Sequence, residues 1–263
     1  MNVHKVLIAA GTLSLVLLLN ACSIWNGNGG RAEVTATYVS GPVTLDGKLD
    51  EPAWYKTPAY SLTHAKQQFK NYTPYLQKYF SKGVIEPGKV RVLWNEKYLF
   101  VGFEFTDADI VAEGETDQLH QYTMGDVAEL FLKPEKQTWY WECYVTPKSN
   151  KTSFFFPSRG MIGLPSVFSK TAALKGMKAA AHVKGSLNNS WDGDRKWTAE
   201  IAIPREEVGR AGEKLAPEVP WLIFFGRYNY GRNLEFRDLS AYPEQNKMDY
   251  HTYEEYARLK MVK

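Results

Sequence analysis

The sequence predicts an all-β protein, an antiparallel β-sandwich with short helices and two long insertions. Three observations predict it. Segments of six to ten residues with period-two alternation recur along the chain and read as half-buried strands. Helical signals are few and cover one or two turns each, so layered sheets are the remaining way to build a core. No linker or repeat interrupts residues 34–263, which read as one domain. The 37 Trp, Tyr and Phe residues, 14% of 263, supply rings both for such a core and for stacking on a ligand. A formal charge of +3 is too near balance to argue for nucleic acid as a partner.

In chain order, residues 1–21 read as an export signal. His4 and Lys5 precede an apolar run from Val6 to Leu19, too short to span a bilayer and right for a signal-peptide core. The run ends in Leu19-Asn20-Ala21-Cys22, which resembles the bacterial lipobox. Cys22 is then the lipidated new N-terminus and anchors the chain to a membrane. Ser23 follows it, with no Asp there to retain the protein at the inner membrane, so the expected address is the outer membrane. Residues 22–33 are rich in Gly and Asn and read as a flexible tether. The other cysteine, Cys143, is then without a partner and reads as a small core residue.

Within the domain, Asp50–Trp54 carries a cap residue and an early Pro, and Thr73–Phe80 has a cap, Pro at the first helical position and apolar residues at helical spacing. Both read as short helices. Val90–Asn95 and Tyr98–Thr106 read as a hairpin. In Asp126–Lys133, Ala128, Leu130 and Leu132 oppose Val127, Glu129 and Phe131. In Gln137–Thr146, Trp139, Trp141, Cys143 and Val145 oppose Tyr140, Glu142 and Tyr144. Lys196–Ile203 alternates as well, Pro204–Val208 reads as a helical turn, Pro220–Tyr230 as a strand buried on both sides, and Arg258–Val262 as a last strand. Residues 62–89 and 150–175 are the two insertions, long enough to suggest a functional role. Rings at Trp94, Phe103, Phe105, Trp139, Trp141, Trp197 and Phe224 are expected in the core.

Several segments together resemble a known family. Val43–Trp54 (VTLDGKLDEPAW) looks like the "IDGxxDExxW" opening of family 9 carbohydrate-binding modules. Val90–Asp107 is similar to their first core hairpin, and Gly125–Phe131 (GDVAELF) resembles their "WxxDxxEIF" strand. Trp197–Pro204 (WTAEIAIP) resembles "YxxEAAIP", and Tyr250–Leu259 their closing segment. The set spans most of residues 42–260 in the family's order. The resemblance implies a β-sandwich of the DOMON-like group and an oligosaccharide or polysaccharide ligand, held at a chain end between two aromatic rings. It places those rings at Tyr250 and at Tyr122, beside the strictly aligned Thr123. It places polar ligands at Glu129, at Glu142 (where well-known sugar binders carry a basic residue), and at Arg227 and Asn229. His251 matches a His of the family's plain single-domain relatives.

The residues themselves leave alternatives open. Carboxylates, guanidinium and amide groups chelate sugar hydroxyls beside flat apolar faces. Arg227 also follows an apolar run and needs a carboxylate partner, for which Glu129 or Glu142 is expected, so a purely structural ion pair is an equal reading. Tyr250 is either a platform or a core ring. Asn188, Asp192 and Asp194 could ligate a structural calcium ion or simply build a turn. Glu129 and Glu142 could serve glycoside hydrolysis. DOMON-like haem binding would draw on His120, Met124, Met161, His182 or His251. The function expected is non-catalytic carbohydrate binding by an exported lipoprotein that supports carbohydrate catabolism. A structural or protein-interaction role in the envelope is the alternative.

Overall fold

A computed structural model of the chain describes residues 30–80, 83–159, 172–210, 212–232, 234 and 236–263. The expected signal peptide, Cys22, most of the tether and Met161 lie outside the described residues. Arg31–Lys263 forms one compact unit. Its strands are β1 (Glu33–Tyr38), β2 (Tyr60–Ser61), β3 (Gly88–Trp94), β4 (Tyr98–Thr106), β5 (Val127–Pro134) and β6 (Tyr140–Val145). They continue with β7 (Lys151–Phe156), β8 (Lys178–Lys184), β9 (Lys196–Pro204), β10 (Trp221–Asn229), β11 (Asp238–Tyr242) and β12 (Ala257–Val262). Two short helices, α1 (Pro52–Lys56) and α2 (Pro74–Phe80), begin at the prolines where the sequence places them.

The strands pair in the order β7-β6-β5-β10-β12-β1-β3-β4-β9-β8, with β11 on β10 and β2 on β3. This ribbon folds over so that its two halves face each other across one core. Leu130, Leu132, Trp141 and Cys143 from one half meet Val101, Phe103, Ala199 and Ile201 from the other. The architecture is thus the predicted β-sandwich. One strand departs from the antiparallel pattern: β1 runs parallel to both β12 and β3. The N-terminal strand joins the last strand to the first hairpin and closes the turn between the halves.

The core follows the alternation read from the sequence. Three buried indoles satisfy their N–H groups on backbone carbonyls: Trp94 on Val262, Trp141 on Val208 and Trp221 on Lys214. The opening LDG motif has a structural role. Asp46 and Gly47 donate their backbone N–H groups to Glu200 Oε2 on β9, at 3.1 and 2.7 Å. Gly47 has φ +78°, and a Cβ there would lie 2.5 Å from the Ala181 backbone, so only glycine fits this docking.

Two expectations, on the second insertion and on the tether, are corrected. The insertion 150–175 opens with strand β7, whose Phe154 and Phe156 share one face. Pro204–Val208 forms the expected turn at the end of β9, with the Val208 N–H on the Pro204 carbonyl at 3.2 Å. Residues 31–33 of the expected tether are docked. Arg31 donates to the carbonyls of Tyr253, Glu254 and Tyr256, and β1 starts at Glu33. Phe224 is buried as expected, in the second apolar cluster on the other face of its strand.

Candidate functional site

The outer face of the β7-β6-β5-β10 half carries a second apolar cluster. Register decides which side chains share it. Glu129 on β5 lies opposite Gly226 on β10 and Tyr144 on β6, and Glu142 on β6 lies opposite Phe131 on β5 and Phe154 on β7. Glu129 and Glu142 are therefore diagonal neighbours on one face. The chain after β11 crosses this face and brings Met248, Asp249, Tyr250 and His251 over it. A cavity of about 260 Å³ remains between the sheet and this segment. Its walls are rings, including Tyr122, Tyr144, Tyr228, Phe154 and Phe156, and both glutamates line it.

The glutamates are 1% and 5% exposed. Glu129 Oε1, Glu142 Oε2 and the Tyr144 hydroxyl are buried without a hydrogen-bond partner among the described residues. Burial raises the Glu129 carboxyl well above the usual carboxylate range, with the charge of Glu142 adding to it. Burial also pushes Glu142 up to about 8. His251 offers little relief. Its Nε2 stands 3.8 Å from Glu142 Oε2, and its Nδ1 shares a 2.8 Å hydrogen bond with the Tyr140 hydroxyl. Burial lowers its pKa, so the ring is held neutral. Unsatisfied buried polar groups cost free energy. Three such atoms in one cavity leave hydrogen-bonding capacity there for a ligand or ordered water.

Tyr122 stands on a single helical turn, Gln121–Thr123. Its half-buried ring lies 5.5 Å from that of Tyr228 and 6.2 Å from that of Tyr144. Tyr250 lines the cavity but is only 6% exposed. Its hydroxyl donates to the carbonyls of Arg227 and Ser240, at 2.8 and 3.0 Å. Its ring meets Tyr228 and Phe131 edge-on. Of the two readings left open for Tyr250, the burial of the ring favours the packed one, with the ring forming a wall of the cavity.

Arg227 and Asn229 do not join this site. On β10 the residues that share the face of Glu129 are Phe224, Gly226 and Tyr228, so Arg227 and Asn229 point inward, at 0% and 2% exposure. The partner of Arg227 is Asp107 at 2.9 Å, and neither glutamate touches it. The guanidinium also donates to the carbonyls of Glu86 and Thr106 and to Asn229 Oδ1. Asn229 in turn donates to Glu86 Oε2. This network ties the end of β4 to β10. Where the sequence reading chose Arg227 and Asn229, the site uses Tyr228 between them. Tyr144, Phe154 and Phe156 were also missed. The signal for Tyr144 was present, since it shares the parity of Glu142.

Asn188, Asp192 and Asp194 do not fit a calcium site. Asp194 accepts the backbone N–H of Ile110 on one oxygen and that of Ser186 on the other, both at 2.7 Å. Asn188 exchanges two hydrogen bonds with the Ala112 backbone, and Asp192 accepts from the Ser186 hydroxyl. These side chains pin a loop to the 108–112 segment. Among the described residues no group of three or more His, Cys, Asp or Glu could hold a metal ion. Among the described haem candidates, His251 alone lines the cavity. His120 packs beside it on Tyr122 and Phe154, Met124 follows the helical turn, and His182 stands on β8 in the other half.

The sequence matches no family model and no curated protein. Solved structures do match. A Bacteroides uniformis protein provisionally assigned to carbohydrate binding superposes with a TM-score of 0.64 at 11% identity, over 89% of this chain and 100% of its own. A family 9 carbohydrate-binding module from Caldicellulosiruptor kristjanssonii superposes with a TM-score of 0.50, both in complex with cellotriose (13% identity, 87% and 93% coverage) and with glucose (12%, 88% and 95%). The β-sandwich of this chain therefore has the fold of the family 9 carbohydrate-binding modules.

Proposed function

We propose that the protein is an exported lipoprotein, held at the outer membrane through Cys22, that binds carbohydrate in the outer-face cavity and supports its breakdown without catalysing it. One observation carries the reading: an oxygen of each of two carboxyls and a phenol hydroxyl lie buried among aromatic rings with no partner among the described residues. Sugars offer both hydroxyls for the polar atoms and C–H faces for the rings. The cavity has room for about one sugar ring, which suits the end of a chain. Hydrolysis needs an acid and a base whose pKa values are pushed apart. Here both carboxyls are pushed up, which favours binding over turnover. The fold likeness to modules in complex with cellotriose and glucose supports the same reading.

Titration calorimetry of the full chain in detergent against a panel of oligosaccharides tests it. Saturable one-site binding, lost in Tyr228→Ala, is expected; no binding across the panel overturns the reading. Metabolic labelling with palmitate in a bacterial host tests the anchor, with the label expected on the wild type and absent from Cys22→Ala.

A further inference from the structure

Resting on the reading of the cavity as a sugar site, we infer that its ligand is an amino sugar with a free amino group, its ammonium seated between Glu129 and Glu142. The polar equipment of the cavity is one-sided. Both glutamates present a buried oxygen with no partner among the described residues, and none of the described lining residues is Lys or Arg. The nearby cations are engaged elsewhere. Arg237 packs over the Tyr228 ring at 5.4 Å and reaches toward the Tyr230 hydroxyl, and Arg159 pairs with Glu254.

Burial and mutual repulsion keep these two adjacent carboxyls from ionising together in the free protein, and among the described lining residues no Lys or Arg offsets that repulsion. A neutral sugar supplies hydroxyl donors but no charge. An ammonium supplies three N–H donors and a positive charge at one point, enough to serve both carboxylates. The surrounding rings add to this, because a cation near an aromatic face is attracted by its quadrupole. A uronic acid would bring a carboxylate into a space that already disfavours negative charge. An N-acetylated sugar would bring an amide without charge. The same geometry thus ranks four ligands of similar size by the charge at one substituent.

Calorimetry on the full chain at neutral pH with glucosamine, glucose, N-acetylglucosamine and glucuronate decides the matter. Glucosamine is expected to bind at least tenfold more tightly than glucose, N-acetylglucosamine no more tightly than glucose, and glucuronate most weakly. In Glu129→Gln and Glu142→Gln the ratio of glucosamine to glucose affinity is expected to fall toward one. The wild-type ranking stands as a test even if a variant fails to fold. Equal affinity for glucosamine and glucose overturns this inference and leaves carbohydrate binding intact. The absence of binding by all four, together with the oligosaccharide panel, overturns both.

Discussion

The ring of Tyr250 lies against Gly226: a Cβ on Gly226 would stand 2.5 Å from Tyr250 Cε2. The missing side chain leaves the space into which the ring sinks, and the hydroxyl reaches across to bond the backbone of β10 and β11. Gly226→Ala is expected to cost about 1–3 kcal/mol through overpacking and to displace the cavity wall. Tyr250→Phe keeps the ring and loses the hydroxyl bonds, at about 1 kcal/mol. Denaturant unfolding reads both. Sugar titration is expected to show the larger loss of affinity in Gly226→Ala.

Stability is expected to fall as pH rises from about 4.5 to about 8. The Glu142 carboxyl is raised to about 8 in the folded protein from a reference value of 4.5. Below that window both states hold the proton and nothing is lost. Within it the unfolded chain ionises while the folded one stays protonated, so each pH unit costs up to about 1.4 kcal/mol. Glu200, pushed up to about 7 by burial, adds to the same slope. Melting temperatures across this range are expected to decline, and less steeply in Glu142→Gln.

Arg227 is a structural residue, and its replacement is expected to act on folding. Arg227→Leu strands Asp107, Asn229 and Glu86 in the interior, at about 3–5 kcal/mol. Arg227→Lys also destabilises, because an ammonium cannot match the planar fork that reaches four acceptors. Urea unfolding is expected to show both losses, while the affinity of the folded fraction for sugar stays at the wild-type value.

The loop at 188–194 is held by its own hydrogen bonds. Calcium or a chelator is expected to leave the melting temperature unchanged. Asp194→Ala is expected to cost about 1–3 kcal/mol, because two buried N–H groups lose their acceptor. A calcium-dependent rise in melting temperature would reverse this assignment.

Much of the fold was legible in the sequence because alternation is local. Val127, Glu129 and Phe131 share a face whatever the strand pairs with, and so do Tyr140, Glu142 and Tyr144. The glutamates, the buried Trp ladder and the starts of both helices could be read this way. The strands of low contrast could not. β8 (KAAAHVK) is half-buried along its length, and β1 and β11 carry few large apolar groups to mark their alternation.

The sequence by itself determined the two faces of each strand, the β-sandwich class and the presence of a carboxylate on each of two neighbouring strands. Which face of β10 joins those carboxylates was decided only by the register that sets Gly226 opposite Glu129. A shift of one residue would have turned Arg227 outward and Tyr228 in. The path of residues 243–256, which buries Tyr250 and encloses the cavity, was likewise decided by packing on the tertiary structure. Pairing register and chain crossing depend on contacts between residues a hundred positions apart, and a period-two pattern contains no information about them.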